Sequence, residues 1–198
     1  MNDRKKVILT DVDGVLLNWE YAFYIWAERN GYTALPNTDG VYDLGERFGI
    51  GHEEKMHLCK RFNESAAIGF LPPLRDAMYY MDLLHRKHGY VFHVITSLSR
   101  DPQAQALRTQ NLKKLFGETM FEKFVYLGTG APKDHALSKY EGTGHWWIED
   151  MLVNARTGDK YGLESILVEH AHNMENDEFP TFSTWAQIYS YITGEYTT

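Results

Sequence analysis

The chain alternates between two kinds of segment. Five short apolar runs rich in β-branched and aromatic residues, KVILTDV (6–12), YVFHVITS (90–97), KFVYLG (123–128), HWWIED (145–150) and SILVEH (165–170), are separated by stretches with helical signals. Runs this short and this continuously apolar are strands covered on both faces, which parallel sheets require. The pattern predicts a doubly wound α/β architecture, a parallel sheet with helices on either side. Two helices are well marked. Asp101 and Pro102 suit an N-cap and first helical position, Leu107, Leu112, Leu115 and Phe116 form an apolar face, and Gly117 ends the helix. Near the other end, Thr184 and Gln187 make a capping box ahead of a face of Trp185, Ile188, Tyr189 and Ile192.

One region breaks the alternation. Between Gly14 and Leu74 no strand is evident, but helical segments fall at 18–30 and 52–65, joined by the turn-rich GYTALPNTDGVYDLGERFGIG. This predicts a small helical cap, residues 15–74, inserted after the first strand into a core made of 1–14 and 75–198. Pro72 and Pro73 make a rigid re-entry, followed by a helix that Gly89 ends.

Composition narrows the partners. At 198 residues, 43% hydrophobic and 14% aromatic, the chain can bury a substantial core. The net charge of −7 and the absence of a basic block argue against broad attraction to nucleic acid or anionic membrane. No apolar run approaches the ~20 residues of a membrane span, and the N-terminus lacks an apolar leader, so a cytoplasmic location is expected. The single cysteine, Cys59, agrees with a reducing compartment, and no local motif makes it a nucleophile. Nothing in the sequence sets the oligomeric state.

The residues that end the strands carry chemistry. Asp11 and Asp13, two apart before Gly14, end the first run, where open parallel sheets bind ligands. Two crowded carboxylates are costly without a cation or a proton. Thr96, Ser97 and Ser99 bring hydroxyls after the second run, Lys133 opens a helix after the third, and Glu149 and Asp150 end the fourth. An isolated Asp-x-Asp-Gly is as well explained as a turn. These groups in this order on one rim are not.

Asp11-Val12-Asp13-Gly14, Thr96 after HVI, Lys133, and Glu149-Asp150 after HWWI together resemble the four motifs of the haloacid-dehalogenase-like (HAD) phosphohydrolases, over residues 7 to about 172. The stretch after the first motif is similar to the small cap of many members. Within the superfamily, the cap, FLPPLRDA and EHAHN resemble the 5′(3′)-deoxyribonucleotidases.

The resemblance implies a Rossmann-like sheet and a Mg²⁺-dependent phosphatase working through an aspartyl-phosphate. Asp11 would be the nucleophile and Asp13 the general acid and base. Asp11, the Asp13 carbonyl and Asp150 would hold Mg²⁺, with Glu149 acting through water. Thr96, Ser97 and Lys133 would bind the phosphoryl group. Asp13 favours phosphoryl over carbon–halogen chemistry, because the dehalogenating members lack that second aspartate. The substrate expected is a small phosphorylated metabolite or a nucleotide, with Trp19 as a base platform and Arg75 or Arg100 as contacts to a second polar group. Tyr21, Phe23, Trp26, Tyr42, Phe48 and Phe70 are further aromatics in or near the cap. A phosphomutase, a polynucleotide end-phosphatase and a decayed binding module remain open, the acidic charge weighing against the second. His170-x-His172 is a zinc candidate without a closed ligand set, and Asn154 reads as a cap or turn.

Overall fold

The computed structural model describes residues 6–38 and 41–196. The ends of the predicted core, 1–5 and 197–198, and two residues of the predicted turn, 39–40, lie outside the described residues. Six strands, β1 (Lys6–Thr10), β2 (Tyr90–Ser97), β3 (Phe121–Leu127), β4 (Trp146–Glu149), β5 (Glu164–Val168) and β6 (Thr181–Phe182), make one sheet in the order β3-β2-β1-β4-β5-β6. Every pairing is parallel; Ile8 of β1 aligns with Phe92 of β2 on one side and Trp146 of β4 on the other.

Alternate strand residues face opposite sides of the sheet. Ile8, Val94 and Ile148 therefore join one buried cluster, and Leu9, Ile95 and Trp147 the other. Helices α4 (Ala77–His88), α5 (Pro102–Phe116) and α8 (Trp185–Thr193) fill the first with Met81, Leu112 and Ile188. Helix α6 (Asp134–Leu137) contributes Ala136 and Leu137 to the second. The predicted caps are present. The Asp101 carboxylate accepts from the Ala104 amide at 2.8 Å, and Thr184 and Gln187 form the reciprocal box.

The inserted helices are α1 (Trp19–Arg29), α2 (Leu44–Phe48) and α3 (His52–Asn63), followed by a 3₁₀ turn at Ala66–Gly69. The chain leaves and re-enters the core side by side. The Asn18 amide donates to the Pro72 carbonyl at 2.9 Å, and the Leu74 amide to Leu16 at 2.8 Å. Phe23, Phe48 and Phe62 of this layer join the same buried cluster as Ile8.

Two elements depart from the sequence pattern. Helix α2 lies in the stretch expected to be turns, formed because the Asp43 carboxylate caps it and Gly49 ends it at φ 63°. Strand β6 extends the sheet beyond the five predicted, anchored by amides of Leu167 and Glu169 donating to Pro180 and Phe182 at 2.9 Å. Two residues carry no periodicity to recognise.

Strand order reverses between β1 and β4, because β1 leads to β2 and β3 on one side and β4 opens the other. Asp11 follows β1 and Asp150 follows β4. The two aspartates thus flank the switch point where a cleft opens beyond the strand ends.

Candidate active site

Asp11 is buried, with its amide still donating to the Ile148 carbonyl at 2.9 Å, so the residue is fixed to the end of the sheet. Its Oδ2 lies 2.9 Å from Lys133 Nζ, while its Oδ1 is buried without a partner. On the neighbouring strand, Thr96 Oγ1 is also buried and unpartnered. Buried polar atoms of this kind are costly unless a ligand completes them.

Lys133, at the start of α6 and only 3% exposed, bridges Asp11 and Glu149. Ser97 Oγ donates to the Ala131 carbonyl at 3.0 Å and so braces the loop that delivers the lysine. Glu149 has both oxygens engaged. Oε1 accepts from Lys133 and from Asn154 at 2.8 Å, and Oε2 from the amides of Asp150 and Met151, each at 2.7 Å. Asn154, read as a turn former, is thus a partner of Glu149 on α7 (Leu152–Lys160).

Burial and the buried charges act against each other across the site. It pushes Asp11 up from 3.8 to about 6 against the attraction of Lys133, with Glu149 and Asp13 adding to the rise. Asp150 is raised well above its ordinary value by burial and then by Glu149 and Asp11. For Glu149, burial is outweighed by Lys133 and by the Met151 amide, which hold the carboxyl low. For Lys133, the same two acids outweigh burial and raise it.

Asp13 has a partner of its own. Its carboxylate pairs with Arg108 of α5, Nη1 to Oδ1 at 2.5 Å. Burial still raises Asp13, with Arg108 opposing. No sequence motif marked Arg108, although Ala104, Leu112 and Phe116 at four-residue spacing put position 108 on the buried face of its helix.

Among the described residues, the group with three ligand atoms within 4.8 Å of one another is Asp11, Glu149 and Asp150. All its donors are carboxylate oxygens, a set that suits a hard divalent cation. The zinc candidate is not formed. His170 Nε2 donates to the Gly14 carbonyl at 2.6 Å and His172 Nε2 to the Asp150 carbonyl at 3.0 Å. Asn173 adds a 2.7 Å bond to the same Asp150 carbonyl. The EHAHN segment is therefore a clamp on the two acidic loops. Gly14, at φ 73°, has no room for a side chain, since an added Cβ would lie 2.6 Å from Asp150 Oδ2.

Two recesses meet at Asp13, Tyr42 and Asp150. One, about 350 Å³, lies under the inserted helices beside Trp19, Tyr24 and Lys55; the other, about 490 Å³, runs along Lys133, Ser97 and Asn154. Trp19 is half-buried, stacked on Phe23 at 4.7 Å, and its indole N–H donates to Asn63 at 2.9 Å. Tyr42 reaches across to the core, its ring 4.1 Å from that of His172. Of the other aromatics, Phe23 and Phe48 are core, Trp26 packs against Phe62, and Tyr21 and Phe70 are exposed. Arg75 donates to the carbonyls of Ser183 and Glu169 at 2.5 and 2.8 Å, and neither it nor Arg100 lines either of these two recesses. Burial pushes the Cys59 thiol up, which keeps it in the unreactive form.

No family model matches the chain. An uncharacterized 32.4 kDa protein of Enterobacteria phage T4 is 29% identical over 117 residues, a match spanning 57% of this chain and 41% of that protein. Solved structures agree along nearly the whole length. A haloacid dehalogenase-like family hydrolase from Streptococcus pneumoniae superimposes with a TM-score of 0.63 at 14% identity, covering 94% of this chain and 98% of the other. A HAD-superfamily hydrolase of subfamily IA from Geobacter sulfurreducens gives 0.61 at 13% identity, covering 94% and 96%. The D,D-heptose 1,7-bisphosphate phosphatase of B. bronchiseptica, complexed with magnesium and phosphate, gives 0.57 at 11% identity over 94% and 97%. The chain has the haloacid-dehalogenase-like fold.

Proposed function

We propose that the protein is a Mg²⁺-dependent phosphatase that hydrolyses a small organic phosphomonoester through an aspartyl-phosphate on Asp11. The observation that carries this reading is the pair of buried, unpartnered oxygens, Asp11 Oδ1 and Thr96 Oγ1, at the ends of neighbouring strands. One is an anionic nucleophile at neutral pH and the other a donor for a phosphoryl oxygen.

Asp11 and Asp150, with the Asp13 carbonyl, would hold Mg²⁺; Glu149, its oxygens already engaged, supports them from behind. When bound, the ion neutralises charge on the phosphoryl oxygens. Lys133 holds a second phosphoryl oxygen and offsets the repulsion between Asp11 and a dianion. Asp13 gives a proton to the leaving oxygen as the ester bond breaks, and takes one from water as the aspartyl-phosphate is hydrolysed.

The substrate we propose is a nucleoside monophosphate. The recess under the cap has aromatic walls, Trp19 and Tyr42, on the path out from Asp13, and suits a planar, uncharged leaving group. The test is hydrolysis of p-nitrophenyl phosphate and of a panel of deoxynucleoside and sugar monophosphates, with Mg²⁺ and with chelator. Turnover that needs Mg²⁺ and is lost by at least ~10²-fold in Asp11→Asn supports the mechanism. Turnover retained in that variant removes Asp11 as nucleophile, and preference for sugar phosphates removes the nucleotide assignment alone.

A further inference from the structure

The Arg108 guanidinium is fully buried on a helix face whose neighbours one turn away are Ala104 and Leu112. Its Nη1 donates to Asp13 Oδ1 at 2.5 Å, its Nη2 to Oδ2 at 3.4 Å, and its Nε is buried without a partner. A buried ion pair gives little stability over well-packed apolar side chains of similar volume. What the pair does supply is orientation, because a planar fork fixes the plane of the carboxylate it grips.

We infer that Arg108 is a positioning residue for Asp13, holding the carboxyl group so that Oδ2, the more loosely held oxygen, faces the reacting phosphoryl group. This rests on the phosphatase reading above. In the first half-reaction the Asp11–phosphorus bond forms, the ester P–O bond breaks, and the proton on Asp13 passes to the departing oxygen. In the second, water oxygen bonds to phosphorus, the Asp11–phosphorus bond breaks, and a water proton returns to Asp13. Arg108 keeps its own protons throughout. Its role is to keep the Asp13 carboxyl in place across both transfers.

The experiment is a double-mutant cycle of Arg108→Met, Asp13→Asn and the combined variant, read as kcat and KM for p-nitrophenyl phosphate with saturating Mg²⁺. Asp13→Asn should lose about 10²-fold or more in kcat. Arg108→Met should lose about ten-fold or more in kcat with KM changed by less than about three-fold, and the combined variant should be no worse than Asp13→Asn within about three-fold. Losses that multiply, or an Arg108→Met effect confined to KM, would overturn the inference. So would an Asp13→Asn variant with wild-type turnover.

If Arg108→Met does not fold because it strands Asp13, the combined variant, which removes both charges, and Arg108→Lys, which keeps the charge without the fork, carry the test. Arg108→Lys at full kcat would show that charge and not the fork matters, and would also overturn it. Wild-type protein with no Mg²⁺-dependent turnover at all would instead remove the phosphatase reading on which the inference rests.

Discussion

Lys133 and Glu149 form a buried ion pair whose second arm reaches Asp11 at 2.9 Å. The lysine joins the ends of two strands, β1 and β4, and each carboxylate would be an uncompensated buried charge without it. Lys133→Met should therefore harm both fold and turnover. Removing one partner of a buried pair costs on the order of 3–5 kcal/mol, or roughly 6–20 °C in Tm for a chain of this size. Glu149→Gln keeps the volume but turns one accepting oxygen into a donor that faces N–H groups, so it should also destabilise the fold. Thermal melts of both variants check this, and equal, small shifts would mean the pair carries little of the local structure.

The crowding of Asp11, Glu149 and Asp150 sets a second expectation. Mg²⁺ that binds the folded protein and not the unfolded chain raises Tm, by an amount that grows with the logarithm of its concentration. Asp150→Ala should remove most of that response, because it takes away one of the three carboxylates whose oxygens lie within 4.8 Å of one another, and Glu149 already has both of its oxygens engaged. The readout is the Tm shift between chelator and 10 mM Mg²⁺, about 10 mM being chosen to exceed Kd for an ordinary carboxylate site. An undiminished shift in the variant would move the metal to other residues.

Metal-free protein should respond to pH through Asp11. Burial raises its folded pKa from 3.8 to about 6, so between these values the folded state carries more proton than the unfolded chain. Stability from this group is full below the lower value and is lost as pH rises toward the upper one. Asp11→Asn, which cannot ionise, should thus gain Tm relative to wild type as pH increases from about 4 to about 6, by several degrees. Melts in chelator at four pH values measure the difference, and a difference that does not change with pH would give Asp11 an ordinary pKa.

Gly14 is constrained twice, by φ 73° and by the 2.6 Å approach of an added Cβ to Asp150 Oδ2. Gly14→Ala should push the Asp150 loop away and weaken the clamp in which His170 holds the Gly14 carbonyl. The expected result is loss of most of the Mg²⁺-dependent Tm shift with a smaller fall in metal-free Tm. A fall in both of the same size would make the glycine a matter of folding alone.

The sheet and its rim were legible because burial on both faces leaves continuous apolar runs and because chemistry concentrates where those runs end. Asp11, Lys133, Glu149 and Asp150 lie against one another, and Thr96 is near the end of the strand beside β1. What was not legible came from long-range pairing. Arg108 meets Asp13 across 95 positions, and the histidines of EHAHN turn toward backbone carbonyls, which side-chain spacing does not encode. Strand β6 is likewise made by its neighbour, and α2 by a cap and a left-handed glycine inside a stretch rich in turn formers.

The helices that follow β1 carry the last prediction. Trp19 has one neighbour stacked on it, Phe23, and lines the recess beside Asp13. A ring held in place in this way is a ready platform for a second ring, and base stacking is worth about 1–3 kcal/mol per base where single-stranded nucleic acids bind aromatic side chains. Trp19→Leu keeps most of the packing volume and removes the platform. It should lower kcat/KM for a deoxynucleoside monophosphate by roughly ten-fold, while p-nitrophenyl phosphate, whose small leaving group reaches less of the recess, loses much less. The comparison requires variant and wild type with Tm values within a few degrees, since the indole N–H also holds Asn63, whose amide reaches the Leu98 carbonyl beside the Thr96 segment. A loss shared equally by both substrates would trace to that linkage through Asn63, and Trp19 would then be a strut of α1 with no part in choosing the leaving group.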